Sequence, residues 1–74
     1  MKPEDFKKIR AKLKLTQDQL AKVLGLSGKK AVYHIESGMR NPNRLAAAIM
    51  RALDDLPSKS AQELMTLLRK YMEK

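Results

Sequence analysis

The 74-residue chain has no cysteine, no tryptophan, one histidine and only half as many acidic as basic residues. Without cysteine, a disulfide framework and a thiolate-ligated zinc site are both excluded, which suits a reducing cytoplasm. The lone His34 has no cluster of His or carboxylate residues at ligand spacing around it, so no metal is expected. No nucleophile–base pair stands out either. The serines fall at helix ends and the acids are scattered as Asp54, Asp55, Glu63 and Glu73, so neither an enzyme nor a cofactor is expected. No apolar run approaches the roughly 20 residues needed to cross a bilayer, and no charged start leads into an apolar signal segment. The expectation is a cytoplasmic protein with no membrane partner, forming a single domain over residues 1–74. A chain this short is marginal without a metal, disulfides or a second subunit, so self-association is the favoured source of extra stability.

What the chain does have is positive charge. Sixteen Lys and Arg stand against eight Asp and Glu, a formal net charge of +8 with a pI near 10.1, which suits a polyanionic partner. The excess is concentrated. Met1 to Arg44 holds eleven basic and four acidic residues, whereas Leu45 to Lys74 holds five and four.

The spacing of apolar residues predicts five short helices with no linker, repeat or low-complexity segment. The first spans Pro3 to Leu13, with Pro, Glu4 and Asp5 in its first turn and Phe6, Ile9 and Leu13 on one face. The second begins after Thr16, with Gln19 placed to complete a capping box, and carries Leu20, Ala21, Val23 and Leu24 before Gly25 ends it. The third begins near Ser27 or Gly28 and runs through Ala31, Val32 and Ile35 to Ser37, with Gly38 as its left-handed cap. Asn43 caps the fourth, whose stripe is Leu45, Ile49, Leu53 and Leu56, with alanines between, and Pro57 stops it. The last covers about 59–73, capped by Ser58 or Ser60, with a stripe of Ala61, Leu64, Met65, Leu68, Tyr71 and Met72.

Leu13 to Pro42, LKLTQDQLAKVLGLSGKKAVYHIESGMRNP, reads as two short helices joined by a glycine turn. That is the layout of a helix-turn-helix, which places its second helix in the DNA major groove. The order LTQDQLAKVLGLS, then Ile-Glu-Ser-Gly, then Arg-Asn-Pro resembles the Xre/Cro-like, phage-repressor type of helix-turn-helix, over roughly Phe6 to Leu56. The resemblance implies a lambda-repressor-like all-α bundle with a core over about 3–56. One departure is visible: between Gly25 and Ile35-Glu36 the chain holds one residue more than the common pattern, which implies a turn longer by one.

Anchored on Glu36, the resemblance puts Gly28 at the cap of the recognition helix and Lys29, Lys30, Tyr33 and His34 on its outer face. These four are the candidate base contacts. Lysine can donate to both O6 and N7 of guanine, and Tyr33 and His34 can donate to base or phosphate acceptors. Gln17 resembles the family glutamine that bonds a DNA phosphate at the start of the second helix. Gly28, Arg40, Asn41 and Arg44 are expected on the phosphate backbone too, with Lys14, and Lys8 and Lys12, extending that grip. Arg10 and Glu36 interrupt apolar faces, and the resemblance implies a partly buried, bidentate structural pair.

The apolar supply of the last helix exceeds what one edge of a small bundle needs, since Leu67 adds to the stripe. Leu64 and Leu68 are expected inward, and the dimer interface is drawn from Leu64, Leu67, Leu68, Tyr71 and Met72. A twofold dimer reads two half-sites about one helical turn, roughly 34 Å, apart, so the expected operator is an inverted repeat. The reading is therefore a homodimeric, sequence-specific transcriptional regulator of double-stranded DNA, most simply a repressor. The alternatives are an antitoxin, with a toxin partner bound by the last helix and the Tyr71–Lys74 tail, and a protein-interaction module that does not use DNA. A basic amphipathic membrane binder is weaker, because the apolar faces are already needed for the core.

Overall fold

In the computed structural model, which describes residues 1–72, five helices follow one another: α1 (Pro3–Lys12), α2 (Gln17–Leu24), α3 (Lys29–Glu36), α4 (Arg44–Asp55) and α5 (Ser58–Met72). No strand occurs among the described residues, and the all-α architecture is the one that the periodicity predicts. The expected end of the last helix at residue 73, and the end of the tail at Lys74, lie outside the described residues. No described helix is long and apolar enough to cross a membrane.

Local chemistry sets the boundaries. Pro3 opens α1, with Glu4 and Asp5 beside the positive end of its dipole. The helix closes one residue earlier than expected, so Leu13 lies just past its end yet remains buried. The Thr16–Gln19 capping box forms in full: the Gln19 N–H donates to Thr16 Oγ1 at 3.1 Å, and the Thr16 N–H to Gln19 Oε1 at 3.0 Å. Three helices end in the same way, with a residue one or two positions past the last helical one in the left-handed region: Lys14 (φ 59°), Gly25 (φ 69°) and Gly38 (φ 82°). In each, the next N–H reaches back five residues, from Leu15 to Arg10, Leu26 to Ala21 and Met39 to His34.

α3 starts where the resemblance implies and ends one residue earlier than expected. Gly28 is its cap, and Ser37 falls just beyond it. Four residues, 25–28, join α2 to α3, which accommodates the extra residue.

Two further expectations are corrected. In α4 the buried stripe is Ala46, Met50 and Leu53, whereas Leu45 is 65% exposed and Ile49 and Leu56 pack only at the margin. Asn43 Oδ1 accepts from the Ala46 N–H at 2.7 Å, which fixes the start of the helix and turns Leu45 one position away from the inward face. In α5 neither Ser58 nor Ser60 occupies the cap position: the helix already starts at Ser58, and the Pro57 carbonyl accepts from the Ala61 N–H. Leu56 is pushed into extended backbone by the proline after it, and that separates α4 from α5.

One core runs through all five helices, from Phe6 and Ile9 in α1 to Ala61 and Met65 in α5, with Leu20, Val23, Val32, Ile35, Met50 and Leu53 between them. α2 packs on α3 and α5, α1 touches both α3 and α4, and α4 meets α5. α3 is thus held from behind by α1 and α2, and its outer face is left to solvent.

Candidate nucleic-acid interface

Ala31, Val32 and Ile35 bind α3 to the core, and the residues between them are forced outward. Lys29, Lys30 and Tyr33 are exposed and His34 is half-buried, with the Tyr33 and His34 rings 6.0 Å apart. The start of α3 is set apart by its two lysines. Gly28 offers no capping side chain, and no acid stands in the first turn; the first two residues are lysines, at the positive end of the dipole. Cations there oppose the dipole by about 0.3–1 kcal/mol each at a surface site. An anion at this end would relieve that repulsion and meet the free backbone N–H groups.

Behind α3 lies a polar knot. Arg10 Nε donates to Glu36 Oε2 at 2.6 Å and Nη2 donates to Glu36 Oε1 at 3.1 Å, a fork that matches the carboxylate on both oxygens. The Arg10 Nη1 donates to the Leu15 carbonyl at 2.9 Å. The Glu36 side chain is only 5% exposed and that of Arg10 18%, so neither charge would be tolerated without the other. The knot has a third member that sequence reasoning missed: Gln17 Nε2 donates to Glu36 Oε1 at 3.1 Å. The amide nitrogen expected to be free for phosphate thus ties α2 to α3, 19 residues away in sequence. No periodicity or capping signal could have revealed a link between two elements.

The remaining basic residues divide. Arg40, Asn41 and Arg44 are exposed in the segment from the end of α3 to the first turn of α4, and the Arg40 N–H donates to the His34 carbonyl at 3.2 Å. Lys14 is exposed at the α1–α2 turn. Lys12 faces elsewhere: its Nζ donates to Asp54 Oδ1 at 3.0 Å and to the Asp54 carbonyl at 3.1 Å, pinning α1 to the end of α4. Lys8 borders that same α1–α4 groove with Asp5, Arg51 and Asp54. Lys7, which the sequence did not single out, lines a cleft of about 290 Å³ together with Arg10, Gln17, Tyr33, Glu36 and Ser37. It sits three residues before Arg10 on the same side of α1, a spacing that could have pointed to it.

On α5, Leu64 and Leu68 pack partly against their own core, and Met72 lies over Gly25, its sulfur 3.0 Å from where a Cβ would stand. Leu67, at 50% exposure, and Tyr71, at 66%, are the most open of the five residues expected at an interface. Among the described residues, no group of three or more His, Asp or Glu is placed to hold a metal.

Comparison with known proteins gives one match: the helix-turn-helix family profile aligns with residues 6–54, from α1 almost to the end of α4. No curated protein and no solved structure matches the chain. The match covers most of the chain and takes in the uncapped α3 and the knot behind it; the chain therefore belongs to the Xre/Cro-like helix-turn-helix family of DNA-binding transcriptional regulators.

Proposed function

We propose that the protein is a repressor that occupies an inverted-repeat operator as a homodimer, with α3 of each subunit in the major groove. The observation that carries this reading is the start of α3, where Lys29 and Lys30 crowd an uncapped positive helix end. That arrangement weakens the isolated fold and becomes favourable once polyanionic DNA lies against it. Lys29, Lys30 and His34 reach base edges, lysine toward guanine O6 and N7. The Gly28 backbone, Arg40, Asn41 and Arg44 grip the phosphates on either side and fix the register of α3, while the Gln17 side chain stays on Glu36.

The dimer is supported by the open apolar side chains of Leu67 and Tyr71, which lie on the helix farthest in sequence from the basic half. One recognition helix spans too few base pairs for a useful specificity ratio, and two half-sites a helical turn apart supply it. The protein acts in the compartment that holds its operator, the cytoplasm.

Selection of bound fragments from a random-sequence DNA pool at two salt concentrations tests this reading. The expected product is an inverted repeat with half-sites about one turn apart, bound with a log–log salt slope of order −5 to −9. Recovery of unrelated fragments that salt releases equally would reject the operator reading.

A further inference from the structure

We propose that the cleft between α1, α2 and α3 seats one DNA backbone phosphate, and that Tyr33 works there rather than on a base edge. The inference rests on the DNA-binding reading and deepens it. From its outward position on α3, Tyr33 is expected among the base readers, but its side chain forms one wall of the cleft that Lys7, Gln17 and Ser37 also line. His34, the next residue, is absent from that lining, so the two neighbours serve different surfaces.

The chemistry of the walls fits a phosphate. Lys7 brings an ammonium and Tyr33 a hydroxyl, whereas the Ser37 hydroxyl already donates to the His34 carbonyl at 3.2 Å. Glu36 would repel an anion if it were free, but it is not: Arg10 and Gln17 donate three hydrogen bonds to its two oxygens. Arg10 also neutralises its charge, which leaves the Lys7 ammonium uncompensated in the cleft. Tyr33 is one helical turn beyond Lys29 and Lys30, about 5 Å along α3. A phosphate in this seat would therefore flank the base pairs that the lysines read. Phosphate contacts fix register and carry no sequence information, so the cleft predicts a residue that sets affinity and leaves base preference untouched.

The test compares wild type with Tyr33→Phe and Lys7→Gln, each titrated with a labelled mixed-sequence duplex of about 30 base pairs across a salt series and then run through the random-pool selection. Tyr33 is 55% exposed, and thermal melting checks that both variants remain folded. The seat predicts that Tyr33→Phe weakens every fragment by the same factor, about tenfold per subunit, while the enriched sequence stays as in wild type. Lys7→Gln should lower the magnitude of the salt slope by about 1 per subunit. Wild-type affinity in Tyr33→Phe, or an altered base at a defined operator position, would overturn the phosphate seat while leaving the DNA-binding reading intact. Absence of salt-dependent binding by wild type would overturn both.

Discussion

At the start of α1 the chain places Pro3, Glu4 and Asp5, a fixed φ followed by two negative charges at the positive end of the helix dipole. At the start of α3 it places Gly28, Lys29 and Lys30, with no capping side chain and two positive charges at the same end. Neither helix has a side-chain cap, Lys2 standing at the cap position of α1 and Gly28 at that of α3, so the contrast lies in the charge of the first turn, which complements the dipole in α1 and opposes it in α3. Both helices are short, and both bury one face against the same core. The difference is therefore not one of packing. α1 is built to stand against the core unaided, whereas under the proposed function the end of α3 is completed by anionic DNA. Departures from local rules concentrate where function requires them, and here the departure and the family's DNA-reading helix coincide.

Charges that the fold has satisfied should behave in the opposite way to those lysines, and this gives the largest stability effect. Replacing Arg10 or Glu36 by alanine alone strands a partner that is mostly out of water, at a cost of about 2–3 kcal/mol in urea unfolding. The double replacement should destabilise less than the sum of the two single changes, because no charge is left behind. A double mutant whose loss equals that sum would mean the pair is not coupled and the knot is incidental.

A smaller effect is expected at the helix ends. Gly25 and Gly38 take left-handed backbone freely, but Lys14 holds the same conformation with a side chain, and this too breaks a local rule. Lys14→Gly should raise stability by about 0.5–1 kcal/mol. If Lys14 also grips phosphate, the same change should weaken DNA binding, so stability and affinity would move apart at a second place in the molecule. Gly25→Ala should do the reverse and destabilise by about 1 kcal/mol, because φ is positive there and Met72 must give way. A destabilised Lys14→Gly would show that left-handed lysine is not strained in this turn.

How far the sequence reveals the molecule depends on the range of the interactions concerned. The Thr16–Gln19 box, the Gly25 and Gly38 ends and the Asn43 cap involve residues three to five apart, and each could be read directly. The register of α4 could not. A short helix with apolar residues at Leu45, Ala46, Ile49, Met50 and Leu53 supports two neighbouring stripes, and the choice between them falls to the cap and to what α1 and α5 present. The pairing of Lys12 with Asp54 spans 42 residues, and local patterns cannot distinguish it from a solvated lysine on a basic face. Arg10 and Glu36 were legible as charges interrupting apolar faces, but the claim of Gln17 on the same carboxylate was not. Of the interface, the outward lysines followed from the inward positions of Val32 and Ile35, while the cleft needed the third dimension.

The most direct test measures stability and DNA affinity together in the variant Lys29→Glu, Lys30→Glu, beside Glu4→Lys, Asp5→Lys as its mirror at α1. The account predicts that reversing the α3 lysines raises folding stability by about 0.5–1 kcal/mol while binding to duplex DNA falls at least about a hundredfold. The α1 reversal should lower stability by a similar amount and leave binding no weaker. An α3 variant that is less stable than wild type, or one that still binds DNA as wild type does, would contradict the claim that the start of α3 is shaped for an anionic partner.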